Sequence, residues 1–268
     1  MRTEQLGDGT PDVAVVGAIH GDEPCGVRAI ERLLDENPPV DRPVKLVVAN
    51  ERAHRRGVRY TDEDLNRAFP GDPDAESYER RLAHDLLAEL SGCTVFSLHS
   101  TQSYDRPFAI LIDSESKTEA AICRRLSVDA VVEAGAFTEG RLIAHHAPTV
   151  EVECGIQHSE AAADNAYRLT REFLAAVDAV PLPADRSDPD TPADGVPVYR
   201  LRRLVPKGPA ETYEVFSRNF EPVDPGEPFA AADGATLTAD EGFVPVLMSP
   251  HGYEDIFGYE AEFVGRLD

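Results

Sequence analysis

VAVVGAIHGDEPCGVRAIERLL, residues 13–34, decides the fold class. Residues 13–19 form an unbroken apolar run rich in valine, the mark of a strand buried on both faces. His20-Gly21-Asp22-Glu23 interrupts it. Asp22 then offers a helix cap and Pro24 a first-turn residue, while Val27, Ile30, Leu33 and Leu34 supply one apolar face. A buried strand feeding an amphipathic helix is the repeating unit of a parallel sheet covered by helices.

The same alternation continues outward. Apolar runs at 44–49, 94–98, 108–112, 130–133 and 149–152 read as strands, and the helical patterns lie at 76–90, 118–126 and 159–180. The expected architecture is α/β, a mixed and largely parallel sheet with flanking helices. At residue 181 the pattern changes. PLPADRSDPDTPADGVP, residues 181–197, is rich in Pro, Asp and Ala without apolar periodicity and reads as a linker. Short strand-like pieces follow at 198–205, 212–215 and 243–248, separated by Pro/Gly turns. The division expected is a main domain over 1–180, a linker over 181–197 and a small C-terminal β-rich domain over 198–268.

Composition narrows the function classes. With 268 residues and 42% hydrophobic content the chain can bury a sizeable core. It contains no run of ~18 apolar residues that could span a membrane, and its first dozen residues lack the apolar stretch of a signal peptide. A cytoplasmic protein is expected. The formal net charge of −23 disfavours nucleic acid and anionic membrane as partners. Lys45, Lys117 and Lys207 are the only lysines, a composition similar to that of soluble proteins from salt-loving archaea. Most of the carboxylates therefore read as solvated surface. Cys25, Cys93, Cys123 and Cys154 are scattered without a C-x-x-C pair, which supports neither a disulfide framework nor a zinc knuckle.

In open α/β sheets, ligands bind outside the carboxyl ends of the strands. The polar residues there are His20 and Glu23 after the first strand, Asn50 after the second, His99 at the third and Glu153 after the last. His20-x-x-Glu23 alone says little, and a lone His99 says less. Their convergence with Glu153 makes a zinc site one of the readings, since two imidazoles and a carboxylate with an open position form a recognised catalytic set.

A second block narrows the choice. The segments GAIHGDEPCG, NERAHRRGVRYTDEDLNRAFPG, SLHST, VEVECG and VPVLMSPHGYEDIFGYE run in order from residue 17 to residue 260. Together they resemble the succinylglutamate desuccinylase/aspartoacylase family, whose fold is that of the zinc carboxypeptidases. The resemblance implies one zinc ion per chain on His20, Glu23 and His99. It implies Glu153 as general base, with Glu151 as its rival on the same strand, and Arg59 as the group that stabilises the oxyanion. Asn66 and Arg67 fall on substrate contacts. Arg141 offers a second carboxylate contact, and Tyr253 matches a tyrosine that the small domain holds over the pocket. Read without the resemblance, Tyr253 is an ordinary hairpin tyrosine.

Ser97 stands where many relatives carry an acidic residue, which implies weaker support for His99. His54, His84, His145, His146, His158 and His251 form no ligand pattern. The implied activity is that of a zinc-dependent amidohydrolase. It would cleave the acyl amide, or a related ester, of a small carboxylate-bearing N-acyl amino acid. A zinc carboxypeptidase acting on peptides, or a non-catalytic metal- or ligand-binding protein of the same fold, remains the alternative.

Overall fold

A computed structural model of the chain describes residues 1–181 and 195–268. The expected linker falls almost wholly on residues 182–194, outside the described residues. The strands are β1 (Arg2–Leu6), β2 (Val13–Gly17), β3 (Val44–Val48), β4 (Thr94–Thr101), β5 (Phe108–Leu111), β6 (Val131–Glu133) and β7 (Thr149–Ile156). They continue as β8 (Val196–Pro206), β9 (Tyr213–Val215), β10 (Pro228–Ala232), β11 (Ala235–Thr238), β12 (Val244–Val246) and β13 (Ile256–Leu267). The helices are α1 (Cys25–Glu36), α2 (Glu51–Arg56), α3 (Tyr78–Leu90), α4 (Lys117–Cys123), α5 (Leu142–His145) and α6 (Glu160–Ala176).

Ten strands form one sheet in the order β1-β3-β2-β4-β7-β5-β6-β8-β13-β12. Its centre, β3-β2-β4-β7, is parallel. Antiparallel pairings appear at β1–β3, at β5–β7 and at the far edge through β8, β13 and β12. The α/β class and the largely parallel centre agree with the reading of residues 13–34. The expected C-terminal β-rich region is present, but β8 pairs in parallel with β6, so part of it extends the main sheet. A separate three-stranded sheet, β11-β10-β9, carries the rest.

The core lies on both faces of the sheet. Val13 and Val15 pack with Ile30, Leu33 and Phe173 from α1 and α6, whereas Ala14 and Val16 pack with Leu82, Leu86 and Leu90 from α3. Period-2 alternation in a strand with no polar face produces this double burial. On β4 and β7, Phe96, Leu98, Val150 and Val152 point to the α6 side. Ser97, His99, Glu151 and Glu153 alternate with them and share the opposite face. A polar layer is thereby driven into the α3 side at the ends of two central strands. β1 was not anticipated, because RTEQL is an edge strand with mostly exposed side chains and carries no apolar run. No helix among the described residues is long and apolar enough to cross a membrane.

Candidate active site

The loop after β2 is shaped by a close approach. A Cβ at Gly21 would lie 2.4 Å from the backbone of Ala53 in α2, so only glycine allows the contact. Gly21 N–H donates to the Arg59 carbonyl at 2.9 Å, and the loop is clamped against the segment that bears Arg59. The chain then enters α1 with Glu23 turned inward. Glu23 Oε1 lies 2.8 Å from His20 Nδ1, and its Oε2 lies 3.2 Å from His99 Nδ1. Ser100 N–H donates to that second oxygen at 3.2 Å. The three side chains are buried and can offer ligand atoms that all lie within 4.8 Å of one another.

Both imidazoles turn Nδ1 toward Glu23 and are held from behind at Nε2. Asp64 Oδ1 stands 3.0 Å from His20 Nε2, and Ser97 Oγ stands 3.1 Å from His99 Nε2. At His20, Arg59 Nη2 also stands 2.9 Å from Nε2, so this nitrogen faces both an acceptor and a donor; a proton on Nε2 would leave the Nδ1 lone pair facing the cluster. Burial lowers the pKa of His20, but Glu23 and Asp64 together raise it to about 9. His20 and His99 in turn hold the Glu23 carboxyl well below the usual range, against its own burial. A cluster that holds extra positive charge this firmly suits a divalent cation, and two imidazoles with one carboxylate suit zinc.

Glu151 and Glu153 part ways here. Glu151 is fully buried and forms an ion pair with Arg141. Glu153 pairs across the sheet with His99 and lines the pocket, where its Oε2 is buried without a hydrogen-bond partner. Burial, reinforced by Glu23 and opposed by His99, pushes its carboxyl up to about 7. Gly155 follows at φ +123°, where a Cβ would meet the Asp105 carbonyl at 2.9 Å. The strand therefore bends just past Glu153.

The arginines come from two connected segments. Arg59 donates to Asp64 Oδ2 at 3.2 Å and reaches Glu23 Oε1 at 3.4 Å. Asn66 accepts from Leu142 N–H at 3.1 Å, which ties the Asp64–Arg67 turn to the residue after Arg141. Arg67 Nη1 donates to the Asn66 carbonyl at 2.7 Å. Tyr253 stands over the pocket, its turn held by Lys207 Nζ donating to the carbonyls of Pro250 and Tyr253 at 2.8 and 2.5 Å. All nine residues picked out in the sequence line one pocket: His20, Glu23, Arg59, Asn66, Arg67, His99, Arg141, Glu153 and Tyr253.

Glu79 was not picked out, and nothing in a chain with 49 acidic residues marks it. It is fully buried at the start of α3 and accepts from Asn50 Nδ2, Thr61 N–H, Thr61 Oγ1 and Asp62 N–H at 2.8–3.1 Å. It thereby anchors the turn between Arg59 and Asp64. These donors hold its pKa below the usual glutamate value. A lowered pKa contributes stability that is present above the ordinary carboxylate range and is lost as pH falls toward the lowered value. Glu79→Gln is expected to cost at least about 2 kcal/mol at pH 7, because an amide nitrogen would face N–H donors. Urea melts at pH 7 and pH 4 check this: the gap between variant and parent should shrink at the lower pH.

Other polar residues have structural partners. His54 Nδ1 lies 2.9 Å from the Gly21 carbonyl, and His146 bridges Thr149 and the Leu90 carbonyl. The four cysteines are free and buried. Among the described residues only His20, Glu23 and His99 form a candidate metal cluster. Asp64, the partner of His20 Nε2, sits inside the DLNR block, where its position before the turn at Leu65–Arg67, which its side chain caps, is the one local sign of a structural role.

Residues 9–179 match the family model for the succinylglutamate desuccinylase/aspartoacylase catalytic domain. Over 77 residues the chain is 35% identical to a probable aspartoacylase of Prochlorococcus marinus subsp. pastoris, covering 28% of this chain and 26% of that protein. Over 121 residues it is 28% identical to aspartoacylase of Rattus norvegicus, covering 44% and 38%. The matched stretches thus span between about a quarter and two fifths of those relatives. Among solved structures, a succinylglutamate desuccinylase/aspartoacylase from Rhodobacter sphaeroides superposes with a TM-score of 0.76 at 19% identity, over 98% of this chain and 89% of the other. Murine aminoacylase 3 superposes at 0.69 with 21% identity, over 96% and 97%. At these identities the likeness is one of fold.

Proposed function

Because the chain belongs to the succinylglutamate desuccinylase/aspartoacylase family, we propose that its pocket hydrolyses the acyl amide of a small, carboxylate-bearing N-acyl amino acid with the help of one bound zinc ion. The observation that carries this reading is the His20–Glu23–His99 cluster beside a buried, unpaired Glu153 oxygen. A metal held by the three side chains would supply Lewis acidity, polarising the scissile carbonyl and making water more acidic.

The chain's own groups do the rest. Glu153 takes a proton from the attacking water as its oxygen bonds to the carbonyl carbon. It then returns that proton to the nitrogen as the carbon–nitrogen bond breaks. A carboxyl poised near neutrality suits both transfers. Arg59, one-third exposed toward the pocket, offers a fixed positive charge to the developing oxyanion, an effect on the order of 3 kcal/mol for oxyanion donors. Arg67 and Arg141 hold the substrate carboxylate, and Asn66 keeps the two arginine-bearing segments in register. Tyr253 narrows the entrance. A concentration of arginines in a protein of net charge −23 selects an anionic substrate locally against a repulsive overall field.

The test is metal content of the purified protein together with primary-amine release from a panel of N-acyl amino acids. One zinc per chain with amine release supports the reading. Amine release only from blocked peptides would favour the carboxypeptidase alternative, and tight zinc binding without any hydrolysis would favour the non-catalytic one.

Ser97 gives a narrower expectation. Its hydroxyl, 3.1 Å from His99 Nε2, orients the ring without adding charge, so Ser97→Ala should bind zinc about 10- to 100-fold more weakly. Competition against a chromophoric chelator measures this. Unchanged affinity would mean that packing alone orients His99.

A further inference from the structure

The charges of the pocket can be paired off residue by residue. Three arginines line it: Arg59, Arg67 and Arg141. Arg59 is shared between Asp64, at 3.2 Å, and Glu23, at 3.4 Å. Arg141, 7% exposed, is paired with the fully buried Glu151. Arg67 differs from both. Its Nη1 donates to the Asn66 carbonyl at 2.7 Å, the residue is exposed, and it forms no ion pair with any carboxylate among the described residues. Apart from Glu153 and the His20–Glu23–His99 cluster, the remaining lining side chains are neutral. Beside the pocket opens a larger cleft, which shares Gln102 with it and carries Arg106 and Arg218, but neither of these arginines lines the pocket itself.

Arg141 keeps one donor to spare. Its Nη2 meets Glu151, while its Nε is buried without a hydrogen-bond partner. The fold holds this donor close to Arg67. A Cβ at Gly140 would stand 2.6 Å from the Arg67 carbonyl, so the chain entering Arg141 lies against the backbone of Arg67. The two arginines thus offer unequal things. Arg67 brings a positive charge that nothing offsets, and Arg141 brings an N–H whose charge is already answered.

We propose that the amine half of the substrate is an amino acid with a neutral side chain, whose single carboxylate takes its opposing charge from Arg67 and a hydrogen bond from Arg141 Nε. Glu151 is then a specificity-determining residue, because by offsetting Arg141 it leaves the pocket no charge for a second carboxylate. The proposal rests on the amidohydrolase reading and deepens it. A second carboxylate would shed its water in a pocket of about 50 Å³ without meeting an unpaired cation. It would also face Glu23 and Glu153 in the walls, with Asp64 and Glu151 behind the arginines that they pair with.

The experiment compares kcat/KM of the zinc-loaded protein for N-acetylasparagine and N-acetylaspartate, which have nearly the same shape, and for the homologous glutamine and glutamate pair. It is run at 1 M salt, where the Debye length is about 3 Å and the net charge of −23 no longer acts at a distance. Each amide should be favoured over its acid by at least about tenfold. In Glu151→Gln, which releases Arg141 from its partner, that ratio should fall by at least about tenfold. Both substrates are measured on one preparation, so any loss of active protein cancels. If Glu151→Gln does not fold, Arg67→Gln at its exposed position serves: the advantage of N-acetylasparagine over its α-carboxamide should fall by at least about tenfold. Equal or faster turnover of the acids by the parent, or ratios that the variants leave unchanged, overturns the proposal and leaves the amidohydrolase reading intact. No amine release from any N-acyl amino acid by zinc-loaded protein sinks both.

Discussion

Replacing Glu153 by glutamine is expected to leave the fold and the bound metal in place and to lower turnover by at least about 10²-fold. The substitution changes little in volume. It removes only the ability to accept a proton at an oxygen that has no other hydrogen-bond partner. Metal content and thermal melting should therefore match the parent. The metal-free variant should melt at the same or a higher temperature at pH 8, because burial pushes the Glu153 carboxyl up to about 7 and its ionised form opposes folding above that pH. The parent's kcat/KM should rise with pH as Glu153 loses its proton. That limb should lie at or below about pH 7, since a cation beside the carboxylate favours ionisation. In Glu153→Gln the limb should vanish. Near-normal turnover in the variant would remove Glu153 from the mechanism.

Glu151→Ala should do the opposite, destabilising the protein by about 3–5 kcal/mol, the range for breaking one half of a buried ion pair. Glu151 is completely buried and Arg141 is 7% exposed, so neither charge can turn to water when its partner is lost. Burial alone would raise the Glu151 pKa, but Arg141 and His99 hold it below the usual carboxylate range. Arg141 would also lose its orientation, so KM for a carboxylate-bearing substrate should rise more than kcat falls. Urea denaturation gives the first quantity and steady-state kinetics the second. A stable Glu151→Ala protein with zinc bound and no turnover would exchange the roles of the two glutamates.

The contrast between these glutamates marks where the sequence stops being informative. They are two residues apart on β7, so strand alternation puts both on one face and cannot rank them. The difference lies in Arg141, which reaches Glu151 from the start of α5. Ser97 is a similar case. The sequence reads it as a missing acid, whereas the structure shows its hydroxyl at hydrogen-bond distance from His99 Nε2. Glu79 left no trace in the sequence at all, because its burial depends on four donors from Asn50, Thr61 and Asp62 arriving at α3.

The sequence by itself determined the parallel centre of the sheet and the strand ends at which polar residues gather. Strands buried on both faces must be apolar throughout, so the first polar residues after them are conspicuous. Only the tertiary structure decided the edges and the cleft. β1 and β13 are half solvated and lack an apolar run. The sequence reads β8 as the opening of a separate small domain, whereas its hydrogen bonds to β6 make it the next strand of the main sheet. The cleft beside the pocket is made by segments more than 100 residues apart, joined through Asn219 and Ser103. No local pattern encodes such a meeting, because it is the packing of distant walls, and not the periodicity of any one of them, that leaves the space open.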